Sequence, residues 1–127
     1  MKRFFLRLYF DDAMLGPGKA ELMEHIRATG SISAAGRAMG MSYKRAWLLV
    51  EELNAAFTGP LISSARGGAG GGGTGLTPLG EEVLSLFRSI EAEAQAAATA
   101  GIDRLEALLR PVAPAASEPP DDMSHGK

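Results

Sequence analysis

The chain has 127 residues, of which 46% are hydrophobic and 22% are charged. This length and composition predict one globular domain with appendages, large enough to bury a core. Cysteine is absent, so disulfides and thiolate metal sites are excluded, and the two histidines, His25 and His125, cannot build a metal cluster. Because no paired carboxylates and no nucleophile–base set are discernible, we predict that the protein is not an enzyme and uses no cofactor or metal.

The formal net charge of −2 hides an asymmetry along the chain. Up to Arg66 there are nine Lys and Arg against six Asp and Glu, a net charge of +3. From Gly67 onward there are four against nine, a net charge of −5. The basic excess of the first half is small, and it favours nucleic-acid binding by that half.

The opening MKRFFLRLYF predicts a strand over Phe4–Phe10. Arg7 interrupts the apolar run and two aspartates follow it, so we expect neither a signal peptide nor a membrane span, and place the protein in the cytoplasm. Alternation assigns one face of the strand to Phe4, Leu6, Leu8 and Phe10. After a loop over residues 15–18, a first helix is predicted from about Lys19 to Thr29, where Gly30 ends it.

The segment SISAAGRAMGMSYKRAWLLVEELN, residues 31–54, predicts two helices joined by a tight turn. Ser33 is the predicted N-cap of the first helix, which Gly40 ends because glycine enters the left-handed conformation at little cost. Ser42 caps the second helix, predicted over Tyr43–Asn54. Spacings of three and four give this helix a core stripe: Ala46, Leu49, Val50, Leu53 and Phe57.

The second helix of the pair has a basic first turn on its exposed side. Lys44, Leu48 and Glu51 point away from the core stripe, while Arg45 and Trp47 flank it. Together with the glycine turn, this pattern is typical of a DNA-binding helix-turn-helix. An ordinary pair of packed helices remains the alternative on the residues alone.

A glycine-rich segment follows between two short predicted strands. Gly59-Pro60 ends the second helix, Leu61–Ser63 forms one strand, and Leu76-Thr77 closes the loop that begins at Arg66. Behind a helix-turn-helix such a hairpin is a wing, whose glycines and Arg66 would follow a nucleic-acid backbone. The alternative is a flexible linker, since glycine-rich runs usually are linkers.

The last predicted helix begins at Pro78, with Thr77 as its N-cap. Its apolar positions alternate in steps of four and three, which suits contact with a second copy in a homodimer; they are Val83, Phe87, Ile90, Ala94 and Ala97. Packing on its own domain is the alternative for this stripe. Gly101 is expected to interrupt the helix, and the Pro- and Ala-rich tail from Pro111 is expected to be disordered.

The predicted fold is therefore mainly α with a small β wing: a winged helix-turn-helix followed by a long C-terminal dimerisation helix. The expected domain boundaries place the DNA-binding domain at residues 1–77, the linker and dimerisation helix at 78–110, and the tail at 111–127.

Four segments of the chain resemble the N-terminal DNA-binding domain of ModE-type molybdate-responsive regulators: GSISAAGRAMGMSYKRAWLLVEELN, PLI, GGAGGGGTG and LTPLGEEVL. The resemblance spans roughly Phe4 to Ala98. SYKRAW followed by a glycine-rich wing and LT-x-x-G is specific to that family, whereas the helix-turn-helix alone would also suit LysR-type regulators. The resemblance implies a winged helix, a dimer formed through the linker helix and palindromic operators. It also matches the start of the recognition helix to Ser42, Tyr43, Lys44, Arg45 and Trp47.

The sequence thus predicts a dimeric transcriptional regulator that binds double-stranded DNA. Lys44 and Arg45 would contact phosphates or guanine edges, and Leu48 a thymine methyl. Trp47 has a second interpretation, as a residue at the edge of the core. The full predicted DNA-binding set is Ser33, Ser42, Tyr43, Lys44, Arg45, Trp47, Leu48 and Arg66.

Two further expectations concern the partners of the protein. ModE-type regulators commonly carry C-terminal oxyanion-binding domains, and nothing after Ala98 has the pattern of a β-barrel, so we expect this chain alone not to bind molybdate. The alternative function is a winged helix used only for protein contacts, as a partner that forms a heterodimer with a longer regulator.

Overall fold

The computed structural model describes residues 3–64 and 73–111, which are mainly helical with two small two-stranded sheets. The mainly α composition with a small β part agrees with the prediction, whereas the first of the two sheets was not predicted. Within these residues, no helix is both long and apolar enough to cross a lipid bilayer. The chain divides into two compact units, Met1–Ala96 and Ala97–Lys127. In chain order the elements are β1 (Leu8–Tyr9), β2 (Met14–Leu15), α1 (Pro17–Thr29), α2 (Ile32–Ala38), α3 (Tyr43–Ala56), β3 (Ile62–Ser64), β4 (Thr74–Leu76) and α4 (Pro78–Ala107).

The N-terminal strand is shorter than predicted, because only two of its residues find a partner. β1 pairs antiparallel with β2 in the register Leu8↔Leu15 and Tyr9↔Met14. Phe4, Leu6 and Leu8 are half-buried as the alternation predicts, but Phe10 is 59% exposed. The chain turns there, with the Phe10 amide donating to the Ala13 carbonyl at 2.7 Å. The prediction that Phe10 shares one face of the strand with Phe4, Leu6 and Leu8 was therefore wrong.

Helix α1 begins at Pro17, two residues before the predicted start, since the fixed φ of proline suits the first helical position. Its N-cap is Gly16, which has no side chain to cap the helix, and Gly30 ends it at φ 73° as predicted. Lys19 is buried in its first turn. The Lys19 ammonium donates to the Met14 carbonyl at 3.0 Å and pairs with Glu52 of α3 at 3.1 Å, so its charge is compensated.

Helix α2 begins earlier than the sequence predicts, because Ser31 caps it and Ser33 does not. The Ser31 hydroxyl accepts from the Ala34 amide at 3.0 Å, and Ser31 has extended backbone as an N-cap requires. Ser33 lies inside the helix, where its hydroxyl accepts from Arg37 Nη1 at 2.9 Å. Starting the helix at Ile32 brings that side chain against the core, which decides between the two serines.

The turn between α2 and α3 and the start of α3 agree with the prediction. Gly40 has φ 73°, and the Ser42 hydroxyl accepts from the Arg45 amide at 3.0 Å. A Cβ at Gly36 would lie 3.0 Å from the Ala46 Cβ, so the two helices approach closely there. The predicted stripe of α3 is buried, apart from half-buried Phe57, and meets apolar residues of α1 and α4.

Strands β3 and β4 form the predicted antiparallel hairpin, with Ser63 opposite Gly75. Asn54 at the end of α3 holds its base: the Asn54 side-chain oxygen accepts from the Leu61 and Ile62 amides, and its amide nitrogen donates to the Ile62 carbonyl. The other strand is tied to α1, because the Thr74 amide donates to the Gly30 carbonyl at 2.8 Å. The hairpin is thus fixed to two helices.

Helix α4 starts as predicted, but it does not stop at Gly101. The Thr77 hydroxyl accepts from the Gly80 amide at 2.9 Å and donates to the Pro60 carbonyl at 2.7 Å. A Cβ at Gly80 would collide with the Leu61 carbonyl oxygen, so this glycine lets α4 approach the hairpin. The predicted interruption was wrong: glycine within a helix costs only about 1 kcal/mol relative to alanine, and the helix formers around it carry α4 to Ala107.

Candidate nucleic-acid interface

The first turn of α3 presents a positive and exposed surface. Lys44 and Arg45 are exposed, and the first turn of α3 contains no acidic residue. Within residues 3–64 and 73–111, neither side chain pairs with a carboxylate. The amino end of a helix carries a partial positive charge of its own, which adds to these two cations. An anion approaching this turn therefore meets charge that the protein has not neutralised.

Aromatic and apolar side chains border this basic turn. Tyr43 is 56% exposed, Trp47 42% and Leu48 43%. About half of the surface of each of these side chains is open to solvent, and that part is available to an external partner. The exposure of Trp47 is intermediate between that of a core-edge residue and a free one, and both interpretations of it stay open.

Ser33 is half-buried on α2 and is engaged by Arg37 of the next turn. Arg37 itself is exposed and was absent from the predicted DNA-binding set. The signal that could have found it is its place in the last turn of the first helix of the pair, three residues before the glycine turn. Arg66 lies outside the described residues, so its predicted role stays a prediction.

The α4 positions predicted to form a dimer contact occupy different environments. Phe87 is only 1% exposed and belongs to the core, and Val83 is half-buried against that core. Ile90 is 39% exposed, and its neighbour Leu86 is 55% exposed. Ala94 is half-buried and Ala97 is exposed. Phe87 therefore packs within its own domain, and the surface that a second copy could reach lies at the other positions.

An ion-pair cluster connects α4 to α1. Arg88 donates to both Glu24 carboxylate oxygens, at 3.0 and 2.9 Å, and to Glu91 at 2.6 Å. The bond from Arg88 lowers the pKa of the Glu24 carboxyl, and the same bond raises the pKa of the Arg88 guanidinium. Arg27 of α1 also pairs with Glu81 of α4, at 2.6 Å. These pairs fix the start of α4 on the domain that carries α3.

The N-terminal hairpin and α3 border a cleft of about 570 Å³ with three carboxylates, from Asp11, Asp12 and Glu52. Within the described residues, no group of three or more His, Cys, Asp or Glu side chains could hold a metal ion. We therefore assign no metal centre to the described residues. The exposed basic turn of α3 remains the candidate site.

Comparison with known proteins finds relatives that match between 56% and 87% of this chain. The molybdenum-pterin-binding protein MopB of Rhodobacter capsulatus is 44% identical over 80 residues, 63% of this chain and 30% of MopB. The molybdenum transport protein ModE of Azotobacter vinelandii is 34% identical over 113 residues, 87% of this chain and 40% of that protein. The DNA-binding transcriptional dual regulator ModE of Escherichia coli is 39% identical over 71 residues, 56% of this chain and 27% of the regulator.

No protein-family model matches the chain. The chain spans 40% or less of the length of each of these three relatives, so the similarity concerns one segment of longer proteins. Over that segment the chain is related to the ModE proteins and to the molybdenum-pterin-binding Mop proteins.

Proposed function

We propose that this chain is a ModE-like transcriptional regulator that binds a specific double-stranded DNA sequence through a winged helix-turn-helix. In this proposal α2 and α3 are the helix-turn-helix, and the β3–β4 hairpin is the wing. The observation that carries the proposal is the exposed first turn of α3, whose two cations have no carboxylate partner among the described residues. The name of the Escherichia coli relative, a DNA-binding transcriptional regulator, supports it.

The proposed contacts follow from the position of each side chain on α3. With the amino end of α3 in the major groove, Lys44 and Arg45 contact phosphates or guanine edges, and Tyr43 contacts a phosphate. The Ser42 oxygen already accepts from a backbone amide, so its hydroxyl hydrogen is left to donate to a phosphate. Exposed Leu48 meets a thymine methyl. Ser33 acts through Arg37, which it orients, and Arg66 follows the neighbouring backbone from the wing.

We further propose that the protein binds as a homodimer on a palindromic operator. The exposed apolar side chains Leu86 and Ile90 support a contact between two copies of α4, because apolar surface on a helix is stabilised by burial. Ala94 and Ala97 continue this contact as small residues that let two helices approach. Val83 and Phe87 act on the dimer contact indirectly, because they pack α4 against the core of its own copy.

The names of the relatives, which are regulators, a molybdenum transport protein and molybdenum-pterin-binding proteins, support a role without catalysis. We propose that this chain alone does not bind molybdate. A tetrahedral dianion needs several donors held in a shielded pocket. The cations of the α3 turn are instead exposed, an arrangement that suits a polyanion.

The proposal is tested by removing the two cations of the α3 turn. DNA duplexes are first selected from a random-sequence library with the unmodified chain, and binding is then measured at several salt concentrations. Changing Lys44 and Arg45 to Ala should weaken binding by roughly 2–6 kcal/mol in total, at about 1–3 for each contact. The salt dependence should become shallower, since each phosphate contact contributes about 0.9 to its slope.

A matched control changes two other exposed cations, Arg104 and Arg110, to Ala, which removes the same charge at a distance in sequence from α3. This control should bind the selected DNA with nearly unchanged affinity. Equal weakening of both double variants would show that only net charge matters and would contradict the recognition-helix assignment.

The alternative function is a module that contacts protein and not DNA, forming a heterodimer with a longer regulator. The exposure of Trp47 and Leu48 favours it, because apolar side chains at a helix surface are typical of protein interfaces. Selection that enriches no DNA sequence, together with a stable complex with a full-length ModE-type regulator, would support this alternative over DNA binding.

A further inference from the structure

The hairpin of β1 and β2, together with α1 and α3, borders a small basic cleft of about 210 Å³ that is open to solvent. Three cations line it, Arg7 before β1, Lys19 in α1 and Arg45 in α3, together with Gly18 and the apolar side chains of Met41 and Leu49. No carboxylate is among the described residues that line it. We call this the Arg7–Arg45 cleft.

The fold brings the two arginines together from distant parts of the chain. Arg7 and Gly16 flank the paired residues Leu8 and Leu15, and a Cβ at Gly16 would lie 2.8 Å from the Arg7 Cγ. The stem of Arg7 therefore lies over Gly16, against the start of α1. Arg45 reaches the same cleft from the first turn of α3.

The charges of the two arginines are not compensated within the described parts of the chain. Lys19 is held by the Met14 carbonyl and Glu52, whereas Arg7 and Arg45 pair with no carboxylate there. Gly18, which also lines the cleft, lies in the first turn of α1, where backbone amides have no acceptor within the helix. Two exposed guanidinium groups are donors of the kind that bind one phosphate of a polyanion.

We propose that the Arg7–Arg45 cleft binds one phosphate of the DNA backbone, beside the point where α3 enters the major groove. This inference rests on the proposed DNA-binding function and adds Arg7, which no motif in the sequence marks, to the interface. Because Arg45 belongs to both the cleft and the first turn of α3, a phosphate held there would fix the depth and direction of α3 on the duplex. A free inorganic oxyanion has the same chemistry as a backbone phosphate and is the alternative ligand for the cleft.

The first test compares Arg7→Gln with Arg3→Gln. Both variants remove one positive charge from the same N-terminal segment, but Arg3 is exposed, lies 6.0 Å from the Phe5 ring and does not line the cleft. With duplexes selected by the unmodified chain, Arg7→Gln should weaken binding of all of them uniformly and reduce the salt slope by about 1, while Arg3→Gln should not. Arg7→Lys keeps the charge without the planar fork and should fall between the two.

The second test replaces single backbone phosphates of the selected duplex with neutral methylphosphonates. At one position per half-site the substitution should weaken binding by the unmodified chain and by Arg3→Gln, yet have no further effect on Arg7→Gln. Additive losses at every position would overturn the assignment of Arg7 to a phosphate. Thermal melting monitored by circular dichroism establishes that each variant is folded, and should Arg7→Gln not fold, Arg7→Lys carries the same comparison.

The third test distinguishes DNA phosphate from a free anion by calorimetric titration with inorganic phosphate and with molybdate. We expect no saturable heat at micromolar concentrations. A saturable signal that disappears in Arg7→Gln, with DNA binding unchanged, would make the cleft a free-oxyanion site and overturn the proposal. If the unmodified chain enriches no duplex at all, the proposed DNA-binding function is wrong. If it enriches a duplex that Arg7→Gln and Arg3→Gln bind equally well, DNA binding stands and only the assignment of Arg7 to a phosphate is wrong.

Discussion

Gly80 shows how a single residue can decide whether two elements of this protein meet. Gly80→Ala should destabilise the protein by about 1–3 kcal/mol, because the new methyl group collides with the Leu61 carbonyl oxygen and backbone must move. Urea unfolding followed by circular dichroism measures the loss. Gly101→Ala is the matched control: its Cβ meets nothing within 4 Å, so the change should leave the protein at least as stable. Similar effects of the two changes would contradict the close approach of α4 to the backbone of Leu61, just before β3.

The Arg88–Glu24 pair predicts a dependence of stability on pH. Because Arg88 lowers the pKa of Glu24 in the folded protein, the pair stabilises the fold above the unfolded pKa, about 4.5, and this stabilisation is lost as the pH falls through the lower, folded value. The unmodified protein should therefore exceed Glu24→Gln in stability at pH 7, by an amount that shrinks below about pH 4.5. Both side chains are about one third exposed, so solvent screening keeps the effect modest.

Urea unfolding of both proteins between pH 7 and pH 3 measures this difference. Glu82→Gln is the control, since Glu82 is exposed on α4, the helix that carries Arg88, and pairs with no cation among the described residues. A stability difference between the unmodified protein and Glu24→Gln that stays constant over this range would show that the pair does not act through ionisation of Glu24.

Among the elements, α2 offers a clear comparison between two serines. Ser31→Ala should destabilise the protein by about 1 kcal/mol, because the Ala34 amide loses its acceptor at the helix start. Ser33→Ala should have little effect, since it removes only an exposed bond from Arg37. Thermal unfolding of the two variants shows which of them is less stable. A larger loss of stability for Ser33→Ala than for Ser31→Ala would show that Ser33 is the N-cap, as the sequence pattern predicted.

The elements also show where sequence patterns are reliable. Periods of three and four correctly predicted the buried stripe of α3, and the glycines at 30 and 40 correctly marked helix ends, because both have φ 73°. The helix boundaries were predicted less well. Two serines two residues apart can each cap a helix, and the choice depends on Ile32 packing against the core, which local sequence does not reveal.

At the scale of the whole molecule, the testable proposal is the homodimer. Ile90→Asp places a charge in the proposed apolar contact between two copies of α4 and should convert dimers to monomers in analytical ultracentrifugation. Ser89→Asp adds the same charge at the neighbouring exposed position, where no apolar contact is proposed, and should stay dimeric. If the unmodified chain sediments as a monomer at the concentrations at which it binds DNA, the homodimer proposal is wrong.

The sequence by itself determined the mainly helical fold, the order of the helices and hairpin, and the exposed basic turn of α3. These features are local: they follow from apolar periodicity, capping residues and glycine conformations within short segments. The Arg7–Arg45 cleft was decided only by the tertiary structure, as was the burial of Phe87 in its own domain, which the sequence left open. Arg7 and Arg45 are far apart in the chain, and the side chains that meet across a fold depend on how hairpin and helices pack together, which no local pattern encodes.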